Sequence, residues 1–201
     1  MRFFAVLLVS ASALWLTGCA STRVVNSQVT AVAAAPAGLP LQGAKYRFER
    51  LPLQVQNPDV GLAEQQAQQA LADVGLVRDD AQAQLSVLVN FQVLSYLNDP
   101  FGRSNAHLWR PYGAVGYARN GAWAYHWGWT MSTPPVTEYR RAVSLVMRDL
   151  RSGQVVYETQ ASHQGPWRDD APILAALFKA ALSQFPHPPA GVQRVRIEIP
   201  N

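Results

Sequence analysis

Ala142-Val143-Ser144-Leu145-Val146-Met147-Arg148, the segment Asp149-Leu150-Arg151-Ser152-Gly153-Gln154, and Val155-Val156-Tyr157-Glu158-Thr159-Gln160-Ala161 together decide the fold. Val143, Leu145 and Met147 alternate with Ser144, Val146 and Arg148, the two-residue period of a strand with one buried face. Asp149 and Ser152 can bond their own backbone, and Gly153 takes a positive φ at no steric cost, so the middle segment is a turn. Val155, Tyr157, Thr159 and Ala161 then resume the alternation. The stretch predicts an antiparallel hairpin whose buried face is centred on Leu145.

Upstream of it, Leu85, Val87, Val89, Phe91 and Val93 share one face of a long strand running to Tyr96. Before that comes a helix. Asn57 can cap it, Pro58 suits its first position, and Asp59 and Glu64 favour the positive end of its dipole. Ala63, Ala67, Ala70, Leu71 and Val74 fall on one side, and Gly75 is a natural left-handed terminator. Two strands precede the helix: 44–51, where Tyr46 and Phe48 alternate with Lys45, Arg47 and Glu49, and 23–31, rich in β-branched residues. Downstream of the hairpin, Asp169 and Asp170 lead into a second helix with the apolar stripe Leu174, Leu177, Phe178, Ala181 and Phe185, halted by Pro186-His187-Pro188-Pro189. Val195, Ile197 and Ile199 alternate with Arg194, Arg196 and Glu198 in a last strand. This order predicts an α+β fold: a mainly antiparallel sheet of about six strands with two helices on one face.

One segment resists this reading. Asn98–Pro135 holds five Gly, eight aromatic residues and four of the six Trp, with no run of either period. It reads as a long irregular aromatic insert. Trp109, Tyr112, Trp123, Tyr125, Trp127 and Trp129 are its candidate binding residues, because such rings stack on sugars, sit at a lipid interface or anchor a protein partner. The competing expectation is a cover over the second face of the sheet, where Leu88, Leu94 and Val146 would otherwise meet water.

The amino terminus gives an address. Arg2 precedes an apolar run from Phe3 to Leu16, too short to span a bilayer and built like a secretory signal. Leu16-Thr17-Gly18-Cys19 resembles a bacterial lipobox, in which the Cys thiol is acylated and becomes the first residue. The expected division is 1–18 signal peptide, 19–43 lipidated segment and tether with a possible first strand, and 44–201 one α+β domain containing the insert 98–135. Taken as random coil, the tether would span roughly 25–30 Å. Removing residues 1–18 takes away one base and leaves 16 basic against 13 acidic residues, too even a balance to argue for nucleic acid. Cys19 is the only cysteine, so once acylated it leaves no thiol for a disulfide or metal.

The motifs of the common catalytic classes are missing from the sequence. There is no G-x-S-x-G elbow and no P-loop, since Gly113-Ala114-Val115-Gly116 lacks the Lys-Ser/Thr that completes a phosphate cradle. His107, His126, His163 and His187 lack metal-ligand spacing. Asp149 is used by the turn and Glu158 by an outward strand position, which weakens a paired-carboxylate hydrolase. Arg140-Arg141 reads as a solvated strand end, its two side chains on opposite faces.

The lipobox, the Lys45-Tyr46-Arg47-Phe48 strand, the Ala-rich helix ending at Gly75, the aromatic insert, the Asp149–Tyr157 hairpin and the helix running to Phe185-Pro186 together resemble a family of Gram-negative envelope lipoproteins catalogued as a domain of unknown function. The resemblance implies a small α+β domain and no activity; a pair of Asp residues associated with the family's early strands is missing from Thr30–Gly43. The expected protein is a non-enzymatic binding or assembly component with no cofactor and no metal. Cys19 holds it in the periplasmic leaflet of the outer membrane, because Ala20 stands where inner-membrane retention signals place Asp. Its expected partners are the membrane and an envelope protein or glycan, with no nucleic acid. The alternative is a glycan- or peptidoglycan-binding protein using the aromatic insert, with weak hydrolysis.

Overall fold

The computed structural model describes residues 22–34, 40–98, 109–117, 123–131 and 136–200, the segments 109–117 and 123–131 by their backbone. The signal segment, Cys19 and residues 35–39 of the expected tether lie outside the described residues. The fold is α+β. One sheet has seven strands in the order β3-β2-β4-β7-β8-β1-β9, and a second has two, β5 and β6. The ranges are β1 Thr22–Ala33, β2 Lys45–Glu49, β3 Val77–Arg78, β4 Leu85–Asn98, β5 Trp109–Tyr117, β6 Trp123–Met131, β7 Val136–Asp149, β8 Val155–Gly165 and β9 Gln193–Pro200. Three helices are described: α1 Pro52–Val55, α2 Asp59–Asp73 and α3 Asp170–Ala181.

The main sheet has seven strands where six were expected. The extra one is β3, two residues long, held at the edge by Val77 N–H to Ala44 O (3.1 Å) and Asp79 N–H to Tyr46 O (2.9 Å). A two-residue strand has no period to read. The sheet is also mixed: β2 lies parallel to both β3 and β4, with Tyr46 opposite Leu85 and Glu49 opposite Leu88. A parallel pair needs a crossover of a dozen or more residues, and α2 supplies it. Elsewhere the pairing is antiparallel. β1 lies next to the edge strand β9, running against β8 from Gln28–Ser162 to Ala33–Tyr157 and against β9 from Thr22–Pro200 to Val29–Gln193.

The hairpin of β7 and β8 forms as read. Asp149 Oδ1 accepts from Arg151 N–H (3.2 Å), and its Oδ2 accepts from Ser152 N–H (3.3 Å) and Ser152 Oγ–H (2.8 Å). The Ser152 hydroxyl first, then these backbone donors, hold the Asp149 carboxyl below the usual carboxylate range. Gly153 sits at φ +71°, the conformation its lack of a Cβ permits.

The chain divides into two compact units, 1–91 with 142–163 and 169–201, and 92–141 with 164–168. The core of the first joins Val25, Val29, Leu85, Val87, Leu145, Met147 and Tyr157 of the sheet to Ala63, Ala67 and Leu71 of α2 and Ile173, Leu177 and Phe178 of α3, all buried. α3 packs on α2, β1 and β9, and Thr159 Oγ1 on β8 donates to Ala181 O at its end (2.8 Å). Small Ala side chains on the inner side of α2 permit the close approach. Two helix boundaries shift from expectation. Asn57 Oδ1 still takes an N–H, that of Asp59 (3.0 Å), but Pro58 occupies the cap position. α3 ends at Ala181, so Phe185 lies beyond the helix and packs edge-on against Tyr157 at 5.0 Å.

Candidate functional site

The insert contains regular structure. β5 and β6 pair antiparallel over all nine residues, from Trp109 opposite Met131 to Tyr117 opposite Trp123, which corrects the expectation of an irregular segment. Directly opposed residues of an antiparallel pair share a face, and alternate residues along a strand share it too. Trp109, Pro111, Gly113, Val115 and Tyr117 therefore belong with Met131, Trp129, Trp127, Tyr125 and Trp123. The other face takes Arg110, Tyr112, Ala114 and Gly116 with Thr130, Gly128, His126 and Ala124. Five of the six candidate binding residues thus fall on one face by register; Tyr112 falls on the opposite one. Pro111 is tolerated because both strands of a two-stranded sheet are edges.

The rest of the second unit contains a polar cluster that the sequence did not announce. Tyr96 Oη donates to Glu138 Oε2 (3.0 Å), and Gln164 Nε2 donates to the same oxygen. Desolvation and the Glu138 carboxylate raise the Tyr96 pKa. Arg141 is fully buried, donates from Nη2 to Trp167 O (2.7 Å) and stacks its guanidinium 5.0 Å from the Tyr139 ring centre. Arg140 is exposed. Opposite faces were read correctly for this pair, but the solvated strand end holds for Arg140 alone. Arg141 is a structural cation, suited to burial by its weak hydration and its planar stacking. Leu94, one of the residues expected to need cover, is 49% exposed.

In the first unit, Asn26, Ser27 and Gln28 of β1 and Arg194, Val195 and Arg196 of β9 line an open depression of about 390 Å³. Arg196 leans toward Glu198 (3.4 Å). Nearby, His163 Nδ1 donates to Asn26 O (2.8 Å), a carbonyl being an acceptor only. Among the described residues no group of three or more His, Cys, Asp or Glu could hold a metal ion, and no helix is long and apolar enough to cross a membrane.

A family model described as "Domain of unknown function (DUF4136)" matches residues 40–187. No curated protein matches the chain. Among solved structures, a PDZ domain protein from Parabacteroides distasonis is similar at 13% identity and a TM-score of 0.49, over 95% of this chain and 42% of its own. Two PelC dodecamer structures from Paraburkholderia phytofirmans are similar at 16% identity. One has a TM-score of 0.40 over 77% of this chain and 95% of its own. The other has a TM-score of 0.42 over 81% and 99%. The chain spans less than half the length of the PDZ domain protein.

Proposed function

The chain belongs to the DUF4136 family, and from that premise we propose that it is a lipid-anchored component of the Gram-negative envelope that acts by binding rather than by catalysis. Cys19 is the acylated residue, and the periplasmic leaflet of the outer membrane is the site of attachment. The observation that carries the binding role is the register of β5 and β6, which gathers Trp109, Trp123, Tyr125, Trp127 and Trp129 on one face of a separate two-stranded sheet. Such rings supply large contact area at low conformational cost. Two or more acyl chains on Cys19 give stable attachment where one gives only reversible binding, at about 0.8 kcal/mol for each buried methylene.

The experiment is detergent-phase partition of the full-length protein from cells, wild type against Cys19→Ser, followed by crosslinking in intact cells. The wild type partitions with detergent and the variant does not; equal partition overturns the anchor. A crosslinked envelope protein lost when Trp123, Trp127 and Trp129 are together changed to Ala supports the hairpin as the binding element. The glycan-binding alternative uses the same rings and is read by pull-down with insoluble peptidoglycan.

A further inference from the structure

We propose that the outer edge of β9 is where two copies of this chain join, each β9 running antiparallel to the other about a two-fold axis at Ile197. The partner is a second copy, and the contact uses neither Cys19 nor the β5–β6 hairpin.

The main sheet has two edges, β3 and β9. An edge strand presents unpaired N–H and C=O groups to any chain that can align with them. Proteins blunt that risk with very short strands, bulges, prolines or inward-pointing charges. The β3 edge is blunted, being two residues long and followed directly by Asp79 and Asp80. The β9 edge is not. It is eight residues long, and its register with β1 runs through eight consecutive pairs without a bulge. Gln193, Val195, Ile197 and Ile199, the residues on its helix-covered side, carry no charge, and its one proline is Pro200 at the last position. Among the described residues no strand lies beyond it, and no backbone hydrogen bond from a loop or turn reaches it.

Charge then selects the partner. Arg194, Arg196 and Glu198 are exposed on the face turned away from the helices, with the side chains of Arg196 and Glu198 66% and 58% accessible. A symmetric antiparallel pair sets residue i of one copy opposite j of the other, and j opposite i. With the axis at Ile197, Arg196 of each copy faces Glu198 of the other, Val195 faces Ile199, and Arg194 faces Pro200. Sliding the copies by two residues sets Arg196 against Arg196 or Glu198 against Glu198, and like charges directly opposite are destabilising. Sliding by one turns every side chain to the wrong face. The edge is thus complementary to itself in one register.

That register also covers apolar surface. Val195 and Ile197 are only half-buried, and Ile197 lines an open cleft of about 490 Å³ with Lys179, Leu182 and Phe185. A second β9 lays its own Val195 and Ile197 along this strip. Because the axis is perpendicular to the sheet, the α3 helices of both copies cover the same side of the joined sheet.

The test uses the purified full-length protein in detergent, with one cysteine added. In the proposed register the Cα of Ile197 lies about 4.5–5.5 Å from its copy, within reach of a disulfide. Val195 lies more than about 13 Å from its copy. On oxidation with copper phenanthroline, Ile197→Cys should give a covalent dimer. Val195→Cys should stay at the wild-type background, which the native Cys19 sets. Circular dichroism confirms that each variant folds. Sedimentation equilibrium then reads self-association without an added cysteine. Arg196→Glu should weaken it on the order of tenfold, by turning two attractive pairs repulsive, and Arg196→Glu with Glu198→Arg should restore it. No dimer from folded Ile197→Cys, or equal yields from both cysteines, overturns the proposal. So does self-association that Arg196→Glu leaves unchanged, because another surface then carries it. In intact cells, a crosslink from Ile197→Cys to a different protein, with none to its own copy, overturns self-pairing and gives the edge to that partner.

Discussion

Arg23 and Asp169, 146 positions apart in sequence, meet in a two-pronged ion pair, Nη1 to Oδ1 at 2.7 Å and Nη2 to Oδ2 at 2.6 Å. The pair ties the start of β1 to the residue before α3. Asp169 stands at the cap position of α3, but its side chain makes no cap bond and serves Arg23 instead. The hydrogen-bonded carboxylate raises the Arg23 pKa further. Because Asp169 is 43% exposed at its side chain, water screens the pair. Asp169→Asn should therefore lower the melting temperature only slightly, and the deficit against wild type should shrink in high salt. A deficit unchanged by salt would mean that packing, not charge, holds this corner.

Leu145 is fully buried at the centre of the sheet. Leu145→Ala should cost about 2–5 kcal/mol in denaturant unfolding, the range for a large buried aliphatic side chain replaced by a methyl. Gly153→Val should cost about 1–3 kcal/mol, because a β-branched residue is strained at positive φ. There is open space around Gly153, so backbone strain alone accounts for that loss. Small effects from both would show that the hairpin is peripheral to stability.

Burial pushes the phenols of Tyr46 and Tyr157 up to about 12, since a phenolate leaving water is penalised. The unfolded chain ionises these groups near their ordinary value of about 10. A raised folded value means that their contribution is complete below pH 10 and is lost as pH climbs from 10 through 12. Ultraviolet titration should show two tyrosines ionising late, together with alkaline unfolding. The Tyr157 hydroxyl also lacks a hydrogen-bond partner among the described residues. Tyr157→Phe should thus be neutral or stabilising and should remove one late-titrating group. A clear loss of stability would reveal a partner for that oxygen.

Much of the fold was legible because burial here follows period. Val143, Leu145 and Met147 are buried and Arg148 exposed, and in β2 Tyr46 is buried between the half-buried Lys45 and the exposed Arg47. Gly75 ends α2 at φ +89°, as its position after the helix suggested. Strand direction was not legible, since Tyr46 and Phe48 alternate identically whether β2 runs with or against β4. The four-residue α1 leaves no period either; its Gln54 makes its own contacts, Nε2 donating to Val89 O (2.8 Å) and Asn90 Oδ1 (2.7 Å). The insert was misread for another reason. Trp123, Tyr125, Trp127, Trp129 and Met131 alternate without a break, but Gly128 and the neighbouring Gly and Pro residues obscure that period in a segment otherwise read as having none. On a two-stranded sheet they are tolerated partners of bulky residues, as Gly113 is opposite Trp127.

The central claim is that Cys19 is the first residue of the mature protein and carries acyl chains. Mass spectrometry of the amino-terminal peptide from membranes of cells expressing the full-length chain tests it most directly. The account predicts a peptide beginning at Cys19 whose mass exceeds that of its residues by a diacylglyceryl group, with or without a third acyl chain on the amine. A membrane protein whose first residue is Met1, or a mature terminus at Ala20 or beyond, or an unmodified Cys19, would contradict it.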